Sequence, residues 1–341
     1  MDFTRSIYDR MGGCRELYPD GRPYYSLGLY LKQHFGRKLY KLSLNGGMSC
    51  PNRDGTVGVG GCIFCSAGGS GEFAADGGLS VREQLVQAKA IQEQKIAAGR
   101  KIPANGEPGR QDQCGYIAYF QAYTNTYGPV DYLSRIFGEA MEDEEVEILS
   151  IATRPDCLGD DVMSLLGRLG QIKPVWMELG LQTIHEETAR RIRRGYELSC
   201  FEEAVRRLKA AGHAVIVHMI LGLPGESIEM MEETARYLGR LGVDGVKLQL
   251  LHVLAGTELA DWYRRGDCPV MTKEEYFAAV GRCLQALPRN VVIHRITGDG
   301  PEKLLIAPRW SLDKKRVLNE LHHYLKEQGI VQGSGSYENL E

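Results

Sequence analysis

Short apolar runs alternate with amphipathic stretches through the middle of the chain. Residues 40–45 alternate between apolar and polar positions, which is typical of a half-buried strand. Further strand-like runs are predicted at 116–120, 146–151, 175–180, 214–221 and 245–251. Strands that alternate with helices favour parallel pairing through right-handed crossovers. Six such units over residues 40–251 predict an α/β fold, either an incomplete barrel or an open parallel sheet.

Helical patterns fill the intervals between these strands. Ser80 followed by Glu83 forms a capping box, which predicts the start of a helix over 81–98. The other helices are predicted at 130–141, 160–169, 186–193, 200–211, 228–241, 273–287 and 312–326, with one more strand at 291–296. Residues 99–115 are polar and rich in glycine and proline, so we expect a long surface loop there.

The pattern divides the chain into four parts. We expect an N-terminal extension over 1–39, a barrel over 40–260, a C-terminal α/β extension over 261–330 and a disordered tail over 331–341. No apolar run approaches the roughly 18–20 residues that cross a bilayer, and the first residues lack an apolar signal region. We therefore expect a cytoplasmic protein with no membrane association.

Charge and cysteine content narrow the function classes. The 341 residues carry 41 Lys and Arg against 44 Asp and Glu, a net charge of −3, and 43% are apolar. Residues 1–50 are nevertheless basic, with eight Lys and Arg against four Asp and Glu. The chain contains nine cysteines, and this odd number argues against a disulfide framework. Six cysteines are scattered, and we interpret them as buried apolar residues.

Three cysteines are grouped on the loop after the first predicted strand. Cys50, Cys62 and Cys65 have the spacing C-x11-C-x2-C on a glycine-rich segment. Glycines allow a backbone to wrap closely round an inorganic core. Three thiolates leave one iron of a four-iron cluster open, whereas a structural zinc ion normally takes four protein ligands. The spacing favours an iron–sulfur cluster, and zinc remains the alternative.

This loop resembles the cluster-binding loop of radical S-adenosylmethionine (SAM) enzymes, with Phe64 as the aromatic residue before the last cysteine. The long first gap and the run from Cys50 to Gly55 resemble the elongator-like branch, most closely its YhcC/YtqA (MnmL-like) type. The resemblance implies a partial (β/α)6 TIM-type barrel of the radical SAM kind with a C-terminal α/β extension. It also implies a [4Fe-4S] cluster on Cys50, Cys62 and Cys65, and reductive cleavage of SAM to a 5′-deoxyadenosyl radical.

Polar residues at the other strand ends are candidates for binding SAM. The Gly-Gly-Glu run that often holds the SAM amino group is absent after the second strand, where Gln121 and Thr124 offer acceptor oxygens instead. By resemblance, Glu178 and Gln182 contact the ribose hydroxyls. An unpaired carboxylate would be costly within the otherwise apolar strand that carries Glu178, so this residue needs a ligand or a protein partner.

Three later segments complete the candidate set. By resemblance, Arg194 pairs with the SAM carboxylate and Ile220 packs on adenine. Arg154 and Asp156, which follow the third strand, resemble the elongator-like pattern or form a local ion pair. His252 follows the sixth strand and either reaches the substrate or serves the structure.

The resemblance implies a transfer RNA substrate, modified at a wobble uridine side chain in the 5-alkylaminomethyl-uridine pathway. It also implies a low-potential electron donor such as flavodoxin or ferredoxin. About 90 residues follow Leu251, too few for the acetyltransferase domain of the elongator catalyst, so acetyl-CoA chemistry is not expected. Two alternatives stay open: a radical SAM enzyme acting on a small molecule or tetrapyrrole, and a non-catalytic, metal-bearing RNA-binding protein. The sequence does not define the oligomeric state.

Overall fold

A computed structural model describes residues 17–99 and 114–335 of the chain. Their strands are β1 (Leu39–Leu44), β2 (Gly115–Phe120), β3 (Val146–Thr153), β4 (Val175–Gln182), β5 (Ala214–Leu221), β6 (Gly245–Leu250), β7 (Val253–Leu254), β8 (Val292–Arg295) and β9 (Leu305–Ala307). Seven of them form one parallel sheet in the order β1-β2-β3-β4-β5-β6-β8. The short strands β7 and β9 form a separate antiparallel pair. The strands β1 to β6 of this sheet are the six that the sequence predicts.

The helices of the described residues are α1 (Leu27–Phe35), α2 (Val81–Gly99), α3 (Val130–Met141), α4 (Asp160–Gly170), α5 (Glu186–Arg191), α6 (Leu198–Ala210), α7 (Ile228–Leu241), α8 (Glu258–Arg265), α9 (Lys273–Ala286) and α10 (Lys314–Glu327). The predicted strands and helices are confirmed to within two or three residues at each end. The capping box is confirmed as well: Ser80 N–H donates to Glu83 Oε2 at 2.8 Å, and Glu83 N–H donates to Ser80 Oγ at 3.3 Å. Helices α1 and α8 and the pair β7–β9 were not predicted.

The chain divides into two compact units. The first, the cysteine unit, comprises the described parts of 31–180 and residues 193–216; the second, the C-terminal unit, comprises the described parts of 1–30, 181–192 and 217–341. In the cysteine unit, β1 to β4 pair in parallel, and all six residues of β2 are buried. Strands buried on both faces need apolar residues at every position, which explains why β2 reads as a continuous apolar run.

Two predictions about the C-terminal residues change. The strand predicted within the C-terminal extension is β8, and it pairs in parallel with β6, so it adds a seventh strand to the main sheet. The tail predicted from residue 331 begins too early, because Gln332 is fully buried and its amide donates to the carbonyls of Pro288 and Val291 at 2.6 and 2.8 Å. Residues 336–341 of that tail, and residues 100–113 of the predicted loop, lie outside the described residues.

No helix in the described part of the chain combines the length and the apolar character needed to cross a membrane.

Candidate functional site

The loop after β1 folds back on itself and closes the long gap between the first two cysteines. Val57 N–H donates to Pro51 O at 2.8 Å, and Gly61 N–H donates to Asn52 O at 2.8 Å. These backbone bonds return the chain to its starting point directly before Cys62. The eleven intervening residues therefore form a compact closed loop, and the C-x11-C spacing does not require the cysteines to lie far apart.

Two polar side chains from the start of this loop reach the second and third cysteines. The Asn52 amide donates to Cys62 Sγ at 3.5 Å and to Arg193 O at 2.6 Å. The Arg53 guanidinium donates to Cys65 O at 2.8 Å. The run from Cys50 to Gly55 thus contains one donor to a candidate ligand sulfur and one side chain that hydrogen-bonds to the adjacent backbone.

The electrostatics of the thiols match a site for thiolate ligands. Burial raises the pKa of the Cys62 thiol to about 12, against the opposing effect of Arg154. Burial also raises the pKa of Cys65, and here Arg53 opposes the rise. Since a bound metal ion deprotonates its thiol ligands outright, the guanidinium groups favour the form that a cluster requires.

The donor set therefore fits an iron–sulfur cluster: three free thiols on one loop, an N–H donor at one sulfur and cationic neighbours. Phe64, between the two cysteines of the C-x2-C turn, is half-buried. Within residues 17–99 and 114–335, no group of three or more His, Cys, Asp or Glu side chains is arranged to hold a metal ion. The assignment of Cys50, Cys62 and Cys65 as cluster ligands stays a prediction.

Arg154 and Arg194 lie against the same aromatic ring. Arg154 forms a double contact with Asp156, at 2.9 Å through Nε and 2.6 Å through Nη2, so the local ion pair is what the structure shows. Arg154 Nη1 also donates to Arg194 O at 2.9 Å. The guanidinium carbons of Arg154 and Arg194 lie 5.0 and 4.7 Å from the centre of the Tyr196 ring. Arg194 is 2% exposed, so its predicted contact with a carboxylate requires a ligand inside the protein.

Gln121 and Thr124 follow β2. Gln121 lies beside a residue that follows the three cysteines, and Thr124 lies beside a residue that precedes them. The Gln121 amide donates to Ser70 O at 2.6 Å. Thr124 is buried, and its backbone N–H donates to Ser49 O at 3.2 Å. The structure thus brings both residues to the cysteine loop, and their contact with the SAM amino group stays a prediction.

Glu178 has protein partners inside the sheet. Its Oε1 accepts a hydrogen bond from Lys41 Nζ at 2.7 Å and one from Ser150 Oγ at 2.8 Å. Glu178 is fully buried, and Lys41 Nζ lies 4.6 Å from the centre of the Tyr119 ring. The requirement for a partner is met by β1 and β3, so the predicted ribose contact is not needed to explain a carboxylate at this position.

The remaining candidates belong to the C-terminal unit. Gln182 has a positive φ of 70°, and its Oε1 is buried with no hydrogen-bond partner among the described residues. Ile220 is 8% exposed, near the end of β5. His252 Nε2 lies 3.1 Å from Ser311 Oγ, and burial lowers the pKa of His252 to about 4. The orphaned Gln182 oxygen fits a site for a hydroxyl donor, while His252 has a structural partner.

Sequence reasoning missed the residues that support the candidate ligands. It assigned no role to Asn52, Arg53, Lys41, Ser150 or Tyr196. A charged residue at position 41, within an alternating strand, is the one sequence signal that could have indicated a partner for Glu178. The contacts of Asn52 and Arg53 depend on how the loop closes, which spacing alone does not reveal.

Comparison with known proteins decides the family. A model of the radical SAM superfamily matches residues 56–238, and a model of the radical SAM C-terminal domain matches residues 243–327. The chain belongs to the radical SAM superfamily. Members of this family bind a [4Fe-4S] cluster and SAM, and this protein is therefore a radical SAM enzyme with these two cofactors.

Three similar proteins refine this result. The chain is 42% identical over 310 residues to the uncharacterized protein YtqA of Bacillus subtilis (strain 168), covering 91% of this chain and 92% of that protein. It is 30% identical over 186 residues to a tRNA uridine(34) acetyltransferase of Methanocaldococcus jannaschii, covering 53% of this chain and 33% of that protein. A solved structure of archaeal Methanocaldococcus infernus Elp3 matches with a TM-score of 0.61 at 18% identity, covering 87% of this chain and 64% of that chain.

These similarities confirm the elongator-like branch and the YhcC/YtqA type. The Elp3 likeness, at its low identity, shows the fold alone: the α/β partial barrel of radical SAM enzymes.

Proposed function

We propose that this radical SAM enzyme modifies the side chain of a wobble uridine in transfer RNA. The observation that carries the proposal is the 30% identity over 186 residues to a protein named for its action on uridine 34 of transfer RNA. That match covers 53% of this chain and 33% of the relative. The proposal concerns the same nucleoside and a different group transfer.

The residues of the chain divide the work of holding the cofactors. Cys50, Cys62 and Cys65 would hold the cluster, which together with SAM supplies a 5′-deoxyadenosyl radical that takes hydrogen from the substrate. Arg194, a buried guanidinium, suits a carboxylate because its planar fork can donate twice. The orphaned Gln182 oxygen suits a ribose hydroxyl. A low-potential electron donor such as flavodoxin or ferredoxin would reduce the cluster.

Further contacts with SAM follow from the strand ends. Ile220, buried at the end of β5, would pack on adenine. Gln121, Thr124 and Glu178 would offer oxygens to the SAM amino and hydroxyl groups. Phe64 would lie beside the third cysteine.

An exposed arginine is a candidate for the contact with phosphate that transfer RNA requires. Arg190 is exposed, whereas Arg206 and Arg207 pair with Glu203 and Asp160 at 2.5 and 2.6 Å. Ion pairing lowers the charge that a side chain can offer to RNA, so Arg190 is a better candidate than Arg206 or Arg207. The target base would have to leave the anticodon stack to reach the radical.

Two experiments test the proposal. Nucleosides of transfer RNA from a deletion strain, measured by mass spectrometry, should lose one modified wobble uridine or accumulate its precursor. The purified protein should bind transfer RNA with a salt dependence, and replacing Arg190 by Ala should reduce the slope of log K against log salt by about 0.7. Lys326→Ala, at an exposed position of α10, is the matched control. An unchanged nucleoside profile would contradict the proposal.

A further inference from the structure

The Arg53 side chain connects the start of the cysteine loop with its end. Its guanidinium donates to the carbonyls of Cys65, at 2.8 Å, and Ser66. The same group lies 5.7 Å from the centre of the Tyr123 ring, on the loop after β2. One side chain from the start of the loop thus binds the backbone at its end and packs on a neighbouring loop.

The chain makes room for this side chain. Gly61 has a positive φ of 83°, and a Cβ there would lie 3.0 Å from both Cγ and Nε of Arg53. A side chain at position 61 would be strained and would press against Arg53. The glycine before Cys62 therefore serves the approach of the Arg53 side chain as well as the turn of the backbone.

The guanidinium of Arg53 hydrogen-bonds to uncharged groups. Its hydrogen-bond partners are neutral carbonyl groups, and it forms no ion pair with a carboxylate in the described part of the chain. Arg154, the other guanidinium near the thiols, is paired with Asp156 at 2.6 Å. Arg53 therefore supplies a positive charge beside Cys65 that is not held in an ion pair, and it acts on this thiol against the negative charge of Glu72.

Such a charge affects a cluster in a known direction. Reduction adds a negative charge to an iron–sulfur cluster, so nearby positive charge and N–H donors to the sulfurs make reduction easier. Asn52 adds the second of these effects, because its amide donates to Cys62 Sγ at 3.5 Å. The two neighbouring residues act on two different candidate ligands in the same direction.

We infer that Arg53 and Asn52 are positioning residues for the cluster: Arg53 clamps the C-x2-C turn and, together with the Asn52 N–H group, raises the reduction potential. The inference rests on the family assignment and does not depend on the transfer RNA substrate, since its measurements concern the cluster alone.

The test compares Arg53→Met, which removes the charge and the clamp, with Arg53→Lys, which keeps the charge. Each protein is reconstituted anaerobically, its iron and sulfide are counted, and its midpoint potential is measured by dithionite titration with mediators, followed by EPR. Arg206→Met is the matched control, because Arg206 is an exposed arginine of the same unit, 69% exposed and paired with Glu203.

We expect Arg53→Met to bind less iron and its loaded fraction to have a more negative midpoint, while Arg53→Lys and the control stay near the wild type. Asn52→Ala should also shift the midpoint to more negative values, with Arg53 intact. Full iron content at the wild-type midpoint in Arg53→Met would overturn the role of Arg53, and equal shifts in Arg53→Met and Arg53→Lys would overturn the effect of charge. An unchanged midpoint in Asn52→Ala would overturn the role of its N–H group.

Discussion

The pair of Lys41 and Glu178 gives a quantitative prediction about the interior of the cysteine unit. Lys41→Met removes the ammonium group that lies 2.7 Å from Glu178 Oε1. The carboxylate is 0% exposed and keeps the Ser150 hydroxyl, at 2.8 Å, as a neutral donor. The perturbation therefore leaves a buried negative charge without its cationic partner.

The expected loss in free energy of unfolding depends on the unequal exposure of the Lys41 and Glu178 side chains. Removing one partner of a buried ion pair costs about 3–5 kcal/mol. The Lys41 side chain is 22% exposed, so the pair is partly screened by water and we expect the lower end, about 3 kcal/mol, for Lys41→Met. Glu178→Gln should cost less, about 1.5 kcal/mol, because the stranded ammonium can reach water and the amide can still bond Ser150.

The double variant separates the pair from its surroundings. With both charges removed, neither group is stranded, and we expect a total loss of about 2.5 kcal/mol instead of the additive 4.5 kcal/mol. The coupling energy is then about 2 kcal/mol. Buried ion pairs replaced by neutral groups of similar size typically show this pattern, because both the attraction and the desolvation cost disappear.

The assay is urea unfolding of the anaerobic protein, followed by tryptophan fluorescence, to which Trp176, buried on β4 two residues before Glu178, contributes. For a slope of about 3 kcal/mol per molar urea, the expected loss in Lys41→Met lowers the midpoint by about 1 M. Losses that simply add in the double variant would refute the interior ion pair. A drop in SAM affinity for Glu178→Gln, with unchanged stability, would instead favour the ribose contact predicted from the sequence.

Three further predictions concern the candidate ligands and a buried histidine. Cys62→Ala should abolish the cluster, since two thiolates cannot hold it; full iron content would refute the assignment. Arg194→Lys should weaken SAM binding at least tenfold without loss of iron, because a lysine lacks the planar fork; equal affinity in calorimetry would remove that role. Burial holds the folded pKa of His252 at about 4, below its unfolded value of about 6.5, so the unfolded state binds more protons between these values and stability falls as the pH falls through this window. Between pH 7 and pH 4.5, the loss in free energy of unfolding should be roughly 2 kcal/mol smaller in His252→Gln than in the wild type, as measured by urea titration. An equal loss in the two proteins would contradict the lowered pKa of His252.

The fold was largely predictable because its signals are local. The helix over Val81–Gly99 begins at the capping box that Ser80 and Glu83 predict. The strand β2 is apolar throughout because both its faces are buried. Helix α8 was not predicted, although Thr257 Oγ1 accepts from Ala260 N–H at its start, because the helix has only 8 residues and few of them are buried.

The candidate ligands could be proposed from the sequence because their chemistry limits the choice of residue. Few side chains other than cysteine hold an iron–sulfur cluster, so spacing alone selected Cys50, Cys62 and Cys65. Their supports have no such signature. Ser150 is a common residue on β3, and only the pairing of β3 with β4 brings it to Glu178.

Arg53 and Arg154 show most clearly what sequence leaves open. Both are arginines near the candidate cluster ligands, and composition treats them alike. Arg154 forms a double contact with Asp156, which partly balances its charge at Cys62, and it also donates to the backbone carbonyl of Arg194. Arg53 contacts only carbonyl groups through its guanidinium hydrogen bonds, so its charge still acts on the thiolates. The difference lies in the partner of each guanidinium: Asp156 for Arg154, and the carbonyl groups of Cys65 and Ser66 for Arg53. On this difference rests the proposal that Arg53 affects how readily the cluster accepts an electron.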